Sequence, residues 1–256
     1  MTPIINAPQD VSYTVVLPTV YGQVMVNRFD TNQTNALLKT SSAIDTQEIV
    51  VMAQLASQLP AGSTIVDMGA NFGLYTLAMA RASSLRGCTV HAFEAQRVIA
   101  YMVCGTLALN SVENAVVHHL AVGAAEGAID IPKFDYRQIS SYGSVEFGEQ
   151  QKEFIGQPRQ ASSEKVRQVS LDSLQLANVR LMKIDIEGME EAALAGAQHT
   201  IERDRPLCLV EWIKSDKAAL VGFFKQRNYT VLDYGMNLLC LPTPEAFAFQ
   251  HSLKVL

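Results

Sequence analysis

Two stretches of this chain place reactive side chains where strands should end. The first is Ile65-Val66-Asp67-Met68-Gly69-Ala70-Asn71-Phe72-Gly73, an apolar run that ends in an acid and passes through a glycine-bearing turn into a helical pattern. Open α/β sheets bind ligands at such carboxyl ends of strands. Gly69 is expected to let the backbone approach a ligand, and Gly73 to let the helix pack on the strand. Asn71 replaces a middle glycine, which its tolerance of left-handed geometry permits. One strand later, Val90-His91-Ala92-Phe93-Glu94 again ends in an acid. A carboxylate there can accept hydrogen bonds from both ribose hydroxyls of an adenosine. A glycine turn alone, or a solvated acid alone, needs no ligand; the pairing makes Asp67, Gly69, Ala70, Asn71, Gly73 and Glu94 the candidate cofactor-binding set. The turn lacks G-x-G-x-x-G and no G-K-[ST] ends it, which argues against a nicotinamide dinucleotide and against a nucleoside triphosphate.

The second stretch is Leu181-Met182-Lys183-Ile184-Asp185-Ile186-Glu187-Gly188-Met189-Glu190, where charges alternate along a strand just before a turn. Lys183, Asp185 and Glu187 would share one side if the strand stayed extended. Charges among apolar neighbours are costly unless paired or next to a polar site, so a structural Lys183 pair with solvated acids is the competing reading. Leu207-Cys208-Leu209-Val210-Glu211 repeats the design, and two acids would then end neighbouring strands. Lys183, Asp185, Glu187 and Glu211 are the candidate catalytic residues. Asp185 is the first choice of general base, and His118 or His119 is an alternative if either turns into the cleft. A lone histidine near a sheet is more often structural. A carboxylate cluster could hold Mg²⁺, but a metal-free site is the expectation.

The elements that must position these groups follow from periodicity. Apolar runs at residues 64–68, 88–93, 116–120, 166–171, 181–184 and 207–210 alternate with helical stretches at 72–82, 97–110, 189–200 and beyond Ser215, the rhythm of a mostly parallel sheet with helices on both faces. Runs at 230–232 and 238–241, joined through Asp233-Tyr234-Gly235-Met236-Asn237, could close it as an antiparallel pair. Ahead of the sheet, alternation around Thr19-Val20-Tyr21-Gly22 predicts a hairpin. Asp45 and Glu48 read as a capping box for a helix that Pro60 ends. Residues 1–44 are thus expected to form an extension packed on a main domain of 45–256. Residues 135–163 keep no period and read as a lid or binding loop inserted into that domain.

The chain has 256 residues, 48% of them hydrophobic, which suits one sizeable α/β core. A formal charge of −5 gives no field for nucleic acid or anionic membrane, and neither is an expected partner. Met1-Thr2-Pro3-Ile4-Ile5-Asn6 carries no charged segment followed by an apolar one, and no apolar run approaches the ~18 residues of a membrane span. The expected location is cytoplasmic. Cys88, Cys104, Cys208 and Cys240 have no metal-ligand spacing and read as reduced core thiols.

Read in order, these segments resemble the FkbM family of methyltransferases. The resemblance rests on Val66 to Gly73 with Thr76, Ala92-Phe93-Glu94, Leu171-Asp172-Ser173-Leu174, Lys183-Ile184-Asp185-Ile186-Glu187-Gly188 with Glu190, Gly196-Ala197, and Arg205-Pro206 leading to Glu211. Ala95 departs from it, since a proline often follows the ribose-binding acid. The resemblance implies a seven-stranded Rossmann-like sheet of the class I methyltransferase type, S-adenosyl-L-methionine as donor, and O-methylation of a sugar, a glycan or a natural-product hydroxyl. Tyr142-Gly143-Ser144 and Tyr234-Gly235-Met236-Asn237 look most like members that accompany glycan-building enzymes. Methyl transfer from a sulfonium is an in-line displacement, so such a protein must align the acceptor oxygen and take up its proton. Two other readings stay open: a nicotinamide-dependent sugar oxidoreductase, and a module that binds S-adenosylmethionine without catalysis.

Overall fold

The computed structural model describes residues 12–146, 154–158 and 162–242, and the backbone of 254–255. Its centre is a sheet built from β3 (Thr64–Met68), β4 (Thr89–Phe93), β5 (Ala115–His118), β9 (Val179–Ile184), β10 (Leu207–Glu211), β11 (Thr230–Tyr234) and β12 (Asn237–Leu241). These run in the order β5-β4-β3-β9-β10-β12-β11, and β13 (Lys254–Val255) adds to the β11 edge. The five strands from β5 to β10 are parallel, while β12 is antiparallel to both β10 and β11. This is the class I methyltransferase sheet, and the closing antiparallel pair is as expected. The order reverses between β3 and β9, so a crevice opens above their carboxyl ends, where open α/β sheets take ligands.

The strands are apolar on both faces because both faces are covered. Along β10, Leu207 and Leu209 enter one core with α2 (Thr46–Gln58), α3 (Leu74–Ser83) and α4 (Arg97–Leu109), while Cys208 and Val210 enter the other. That second core is shared with α5 (Glu190–Ala195), α6 (Gln198–Asp204) and α7 (Lys217–Lys225). The alternation is the two-residue period of a strand.

Several local expectations are corrected. The predicted helix over 189–200 is two helices, because at Gly196 a side chain would lie 2.1 Å from the Gly123 carbonyl oxygen. Asp172 then starts the second one, accepting from the backbone N–H groups of His199 and Thr200 at 2.9 and 2.8 Å. The run near Val166 belongs to β8 (Ser163–Val169) of a separate three-stranded sheet with β6 (Ala121–Val122) and β7 (Gly127–Pro132), not to the main sheet. The Asp45–Glu48 capping box does not form: Asp45 makes no cap hydrogen bond and accepts from Gln33 Nε2 at 2.7 Å instead. Cys88, Cys208 and Cys240 are buried free thiols, but Cys104 is exposed.

The predicted hairpin is β1 (Thr14–Thr19) with β2 (Gly22–Asn27), and it lies on α4, where the Met25 N–H donates to Thr106 Oγ1 at 3.0 Å. It leads to an unforeseen helix, α1 (Gln33–Thr40). The buried Asp30 organises this start: one carboxylate oxygen accepts from the N–H groups of Asn32 and Thr34, the other from that of Tyr142. One side chain thus ties the N-terminal segment to the irregular one at 142, and both reach the crevice.

Candidate active site

A cleft of about 310 Å³ opens above the carboxyl ends of β3, β4, β9 and β10. Under its first half runs the turn after β3. Gly69 (φ +82°), Asn71 (φ +49°) and Gly73 (φ +82°) all adopt left-handed backbone. The reasons for the glycines differ from expectation. A side chain on Gly69 would stand 1.8 Å from the Asp185 carbonyl oxygen, so the residue is needed for the approach of two strand ends; at Gly73 it would meet Val103 of α4 at 3.1 Å. Four of the five N–H groups at 69–73 are used internally. Those of Gly69 and Ala70 donate to the Phe93 carbonyl at 2.9 and 3.0 Å, and that of Gly73 to the Ala70 carbonyl at 2.8 Å. That of Asn71 donates to Glu94 Oε2 at 2.9 Å, and the N–H of Gln96 to Glu94 Oε1 at 2.8 Å.

Glu94 is therefore fixed by backbone at both oxygens while facing the cleft. Burial pushes its carboxyl up to about 7, and the two N–H donors pull the other way. Each oxygen keeps acceptor capacity for a hydroxyl. Beside it, the buried Oδ1 of Asn71 has no partner among the described residues. An orphaned acceptor next to a carboxylate suits a ligand that brings N–H or O–H donors, as the amino acid and ribose parts of S-adenosylmethionine do.

Asp67 and Lys183 lie under this floor rather than in the cleft. Asp67 is fully buried, accepts from Thr76 Oγ1 at 2.5 Å and stands 3.8 Å from Lys183 Nζ. Lys183 Nζ also donates to the Gly69 carbonyl at 2.8 Å, pairs with Asp185 at 3.1 Å, and sits 5.0 Å from the centre of the Tyr75 ring. Burial pulls the Lys183 ammonium down, but the carboxylates of Asp185 and Asp67 outweigh it and hold it charged. The sequence-predicted Lys183 thus positions Asp185; the cleft itself receives Gly69, Asn71, Glu94, Asp185, Glu187 and Glu211, while Ala70 and Gly73 do not line it.

In the second half, β9 ends at Ile184 and the chain turns through Glu187 (φ +58°) and Gly188 (φ +99°). The buried Glu190 holds this turn by accepting from the N–H of Ile186 at 2.9 Å and of Gly188, and from the Ser215 hydroxyl. Lys183, Asp185 and Glu187 therefore do not share one extended face; Glu187 instead pairs with Lys214 at 2.5 Å. Burial and the neighbouring Asp185 carboxylate push Glu187 up to about 7. The same causes push Glu211 up to about 9, and among the described residues its carboxylate has no ion pair. The histidines stay outside: His118 Nε2 is 3.0 Å from His91 Nδ1 and stacks on Phe93, and His119 Nε2 meets the Ala95 carbonyl at 3.1 Å. Among the described residues no acidic, histidine or cysteine group has metal-binding geometry.

Sequence reasoning expected a binding loop within 135–163 and singled out Tyr142-Gly143-Ser144 and Tyr234-Gly235-Met236-Asn237, but missed the other walls. Gln33, Ile44 and Asp45 come from the N-terminal segment, Gly143 to Val145 from the irregular one, and Ile213, Lys214 and Met236 from loops after β10 and β11. Gln96 donates from Nε2 to the Tyr142 carbonyl at 2.7 Å, and Lys214 Nζ to the Ser144 carbonyl at 3.1 Å, so the 142–145 turn spans the cleft. The rest of the expected loop, at 147–153 and 159–161, lies outside the described residues. Of the walls the sequence reading missed, Gln96 carried a local signal, two residues beyond Glu94.

Residues 67–231 match the family model of the methyltransferase FkbM domain. This chain belongs to the FkbM methyltransferase family. The match covers the turn, Glu94 and both acid-ended strands, and membership makes S-adenosylmethionine the cofactor. Among solved structures, the methyltransferase FkbM from Methylobacillus flagellatus KT superposes with a TM-score of 0.51 at 16% identity, over 76% of this chain and 51% of that one. The chain thus spans about half the length of that protein. The precorrin-6y C5,15-methyltransferase of Geobacter metallireducens GS-15 gives 0.45 at 10% identity, over 83% and 96%. The tRNA (uracil-54, C5)-methyltransferase of Pyrococcus abyssi, solved with S-adenosyl-L-homocysteine, gives 0.42 at 12%, over 90% and 44%. No curated protein matches the chain in sequence.

Proposed function

We propose that this chain transfers the methyl group of S-adenosylmethionine to a hydroxyl oxygen of a small molecule or glycan, a sugar or a hydroxylated natural product. Bound donor supplies an electrophilic methyl on a sulfonium. Glu94, set by the backbone of Asn71 and Gln96, would hold the ribose, and Asn71 Oδ1 would accept from the donor's polar end. Asp185 is the proposed base. Its carboxylate faces the cleft while Lys183, beneath it, fixes its orientation. Burial and the carboxylates of Asp185 and Glu187 raise Glu211 to about 9, so it would keep its proton at neutral pH and donate a hydrogen bond to the acceptor, while Glu187 is taken up by Lys214.

The observation that carries the donor reading is the internal use of four of the five N–H groups at 69–73. A dinucleotide's pyrophosphate needs such groups free at the strand-to-helix turn; here Gly69, Ala70, Asn71 and Gly73 donate theirs within the protein, and Glu94 and Asn71 Oδ1 face a ligand as acceptors. This favours a donor without phosphate over a nicotinamide cofactor. The net charge of −5 and the acids of the cleft support a partner other than nucleic acid, and the lysines that already pair Asp185 and Glu187 support a metal-free site. Among the described residues no helix is long and apolar enough to cross a membrane, and a cytoplasmic enzyme is proposed. Calorimetry with S-adenosylhomocysteine and, separately, NAD tests the reading. Binding of the first alone supports it; binding of NAD in its place overturns it.

A further inference from the structure

The β10 end of the cleft has a polar floor and an apolar rim. Ile44, Ile213 and Met236 line the same cleft as Asp185 and Glu211, and are 53%, 48% and 48% exposed. They come from three remote places: the segment before α2, the loop after β10, and the turn between β11 and β12. The Trp212 N–H donates to the Met236 carbonyl at 3.2 Å, which sets that turn beside Ile213. Exposed apolar side chains scattered singly need no explanation, but several converging on one concave site do. The adenosine end cannot account for them, because it lies across the sheet at β4 and β5, where Phe93 and Leu120 line the same cleft. Nor does the floor call for a charged acceptor, since Lys183 and Lys214 already pair Asp185 and Glu187. Two of the three, Ile44 and Met236, fall outside residues 67–231, in parts of this chain the family model does not reach.

Resting on the methyl-transfer reading above, we propose that the acceptor is an uncharged amphiphile: a hydroxylated head against Asp185 and Glu211, with an alkyl or aryl substituent against Ile44, Ile213 and Met236. A methylene moved from water onto such a surface favours binding several-fold when fully covered, so a few partly covered ones give a tenfold preference. The probes are octyl and methyl β-glucopyranoside, titrated below micelle formation with and without S-adenosylhomocysteine. The octyl compound is expected to bind at least tenfold more tightly. In the triple variant Ile44→Ser, Ile213→Ser, Met236→Ser that preference is expected to fall at least fivefold, with S-adenosylhomocysteine affinity kept as the sign of an intact cleft. Equal binding of the two glycosides, or an octyl preference that survives the triple change, overturns the proposal. Failure of S-adenosylhomocysteine to bind would overturn the donor reading instead, and the titrations without it would still judge the rim.

Discussion

The two halves of the cleft are held in different ways. At the ends of β3 and β4 the backbone does the holding: Glu94 is gripped by two N–H groups, and those of Gly69, Ala70 and Gly73 close on Phe93 and Ala70. At the ends of β9 and β10, side chains hold side chains, with Lys183 on Asp185 and Lys214 on Glu187. Backbone hydrogen bonds leave little to vary, which suits a cofactor that does not change. Ion pairs between side chains can be retuned by single substitutions, which suits an acceptor that differs from one family member to the next. The largest test of that contrast is Asp185→Asn. It should lower kcat by roughly 10²–10³-fold, as loss of a general base does, with S-adenosylhomocysteine affinity within about threefold. Radiolabelled methyl uptake by a screened hydroxylated acceptor gives the first quantity and calorimetry the second. Loss of both together would mean that the halves are not separable.

The halves meet at one point, where Gly69 touches the Asp185 carbonyl. Gly69→Ala forces a side chain to within 1.8 Å of that oxygen at φ +82°. A cost of about 3 kcal/mol, or roughly 10 °C in Tm, is expected from strain and overpacking together. Gly62→Ala is the control, because φ is +71° there but nothing lies within 4 Å; about 1 kcal/mol follows from the backbone alone. Equal losses in thermal melts would show that the strand contact is not what requires Gly69.

What the sequence revealed follows the same division. Strands, the glycine turn and Glu94 are local patterns, so the apolar runs alternating with helical stretches and the spacing of Gly69, Asn71 and Gly73 were enough to find them. The side-chain half was legible in type but not in role. Lys183 was readable as a charge in an apolar strand, yet only the fold shows it beneath the floor, and only the left-handed turn at Glu187 shows why the three charges do not share a face. Asp45 looked like a cap because its neighbours in the chain suggested one; a hydrogen bond from Gln33 decided otherwise. The rim of Ile44, Ile213 and Met236 exists only through convergence of remote segments, which no window of sequence can display.

On the cofactor side, Glu94→Ala should weaken S-adenosylhomocysteine binding by about 30-fold, near the 2 kcal/mol typical of hydrogen bonds to a charged group. A pH series sharpens this. Burial pushes Glu94 up to about 7 in the free protein, and ribose hydroxyls donate more strongly to the ionised form. Affinity should therefore rise between pH 6 and pH 8, and Glu94→Gln should flatten the rise. A rise that persists in Glu94→Gln would assign the titration to another group and weaken the contrast between the halves.

The smallest effect lies on the acceptor side. Glu211 is raised to about 9 by burial and by the carboxylates of Asp185 and Glu187, whereas in the unfolded chain it titrates near 4.3. A carboxyl raised on folding contributes stability fully below its unfolded pKa, and that contribution is lost as pH rises through the folded one. Glu211→Gln removes the titration while keeping the neutral shape. The variant should match the parent in Tm at pH 4 and exceed it progressively up to pH 9. For a half-buried group that water partly screens, the gain is about 1 kcal/mol, or 2–4 °C. If the variant instead falls below the parent as pH rises, Glu211 is held ionised in the native state. It would then rival Asp185 as the base, and the acceptor half of the cleft would have two carboxylates able to take the hydroxyl proton.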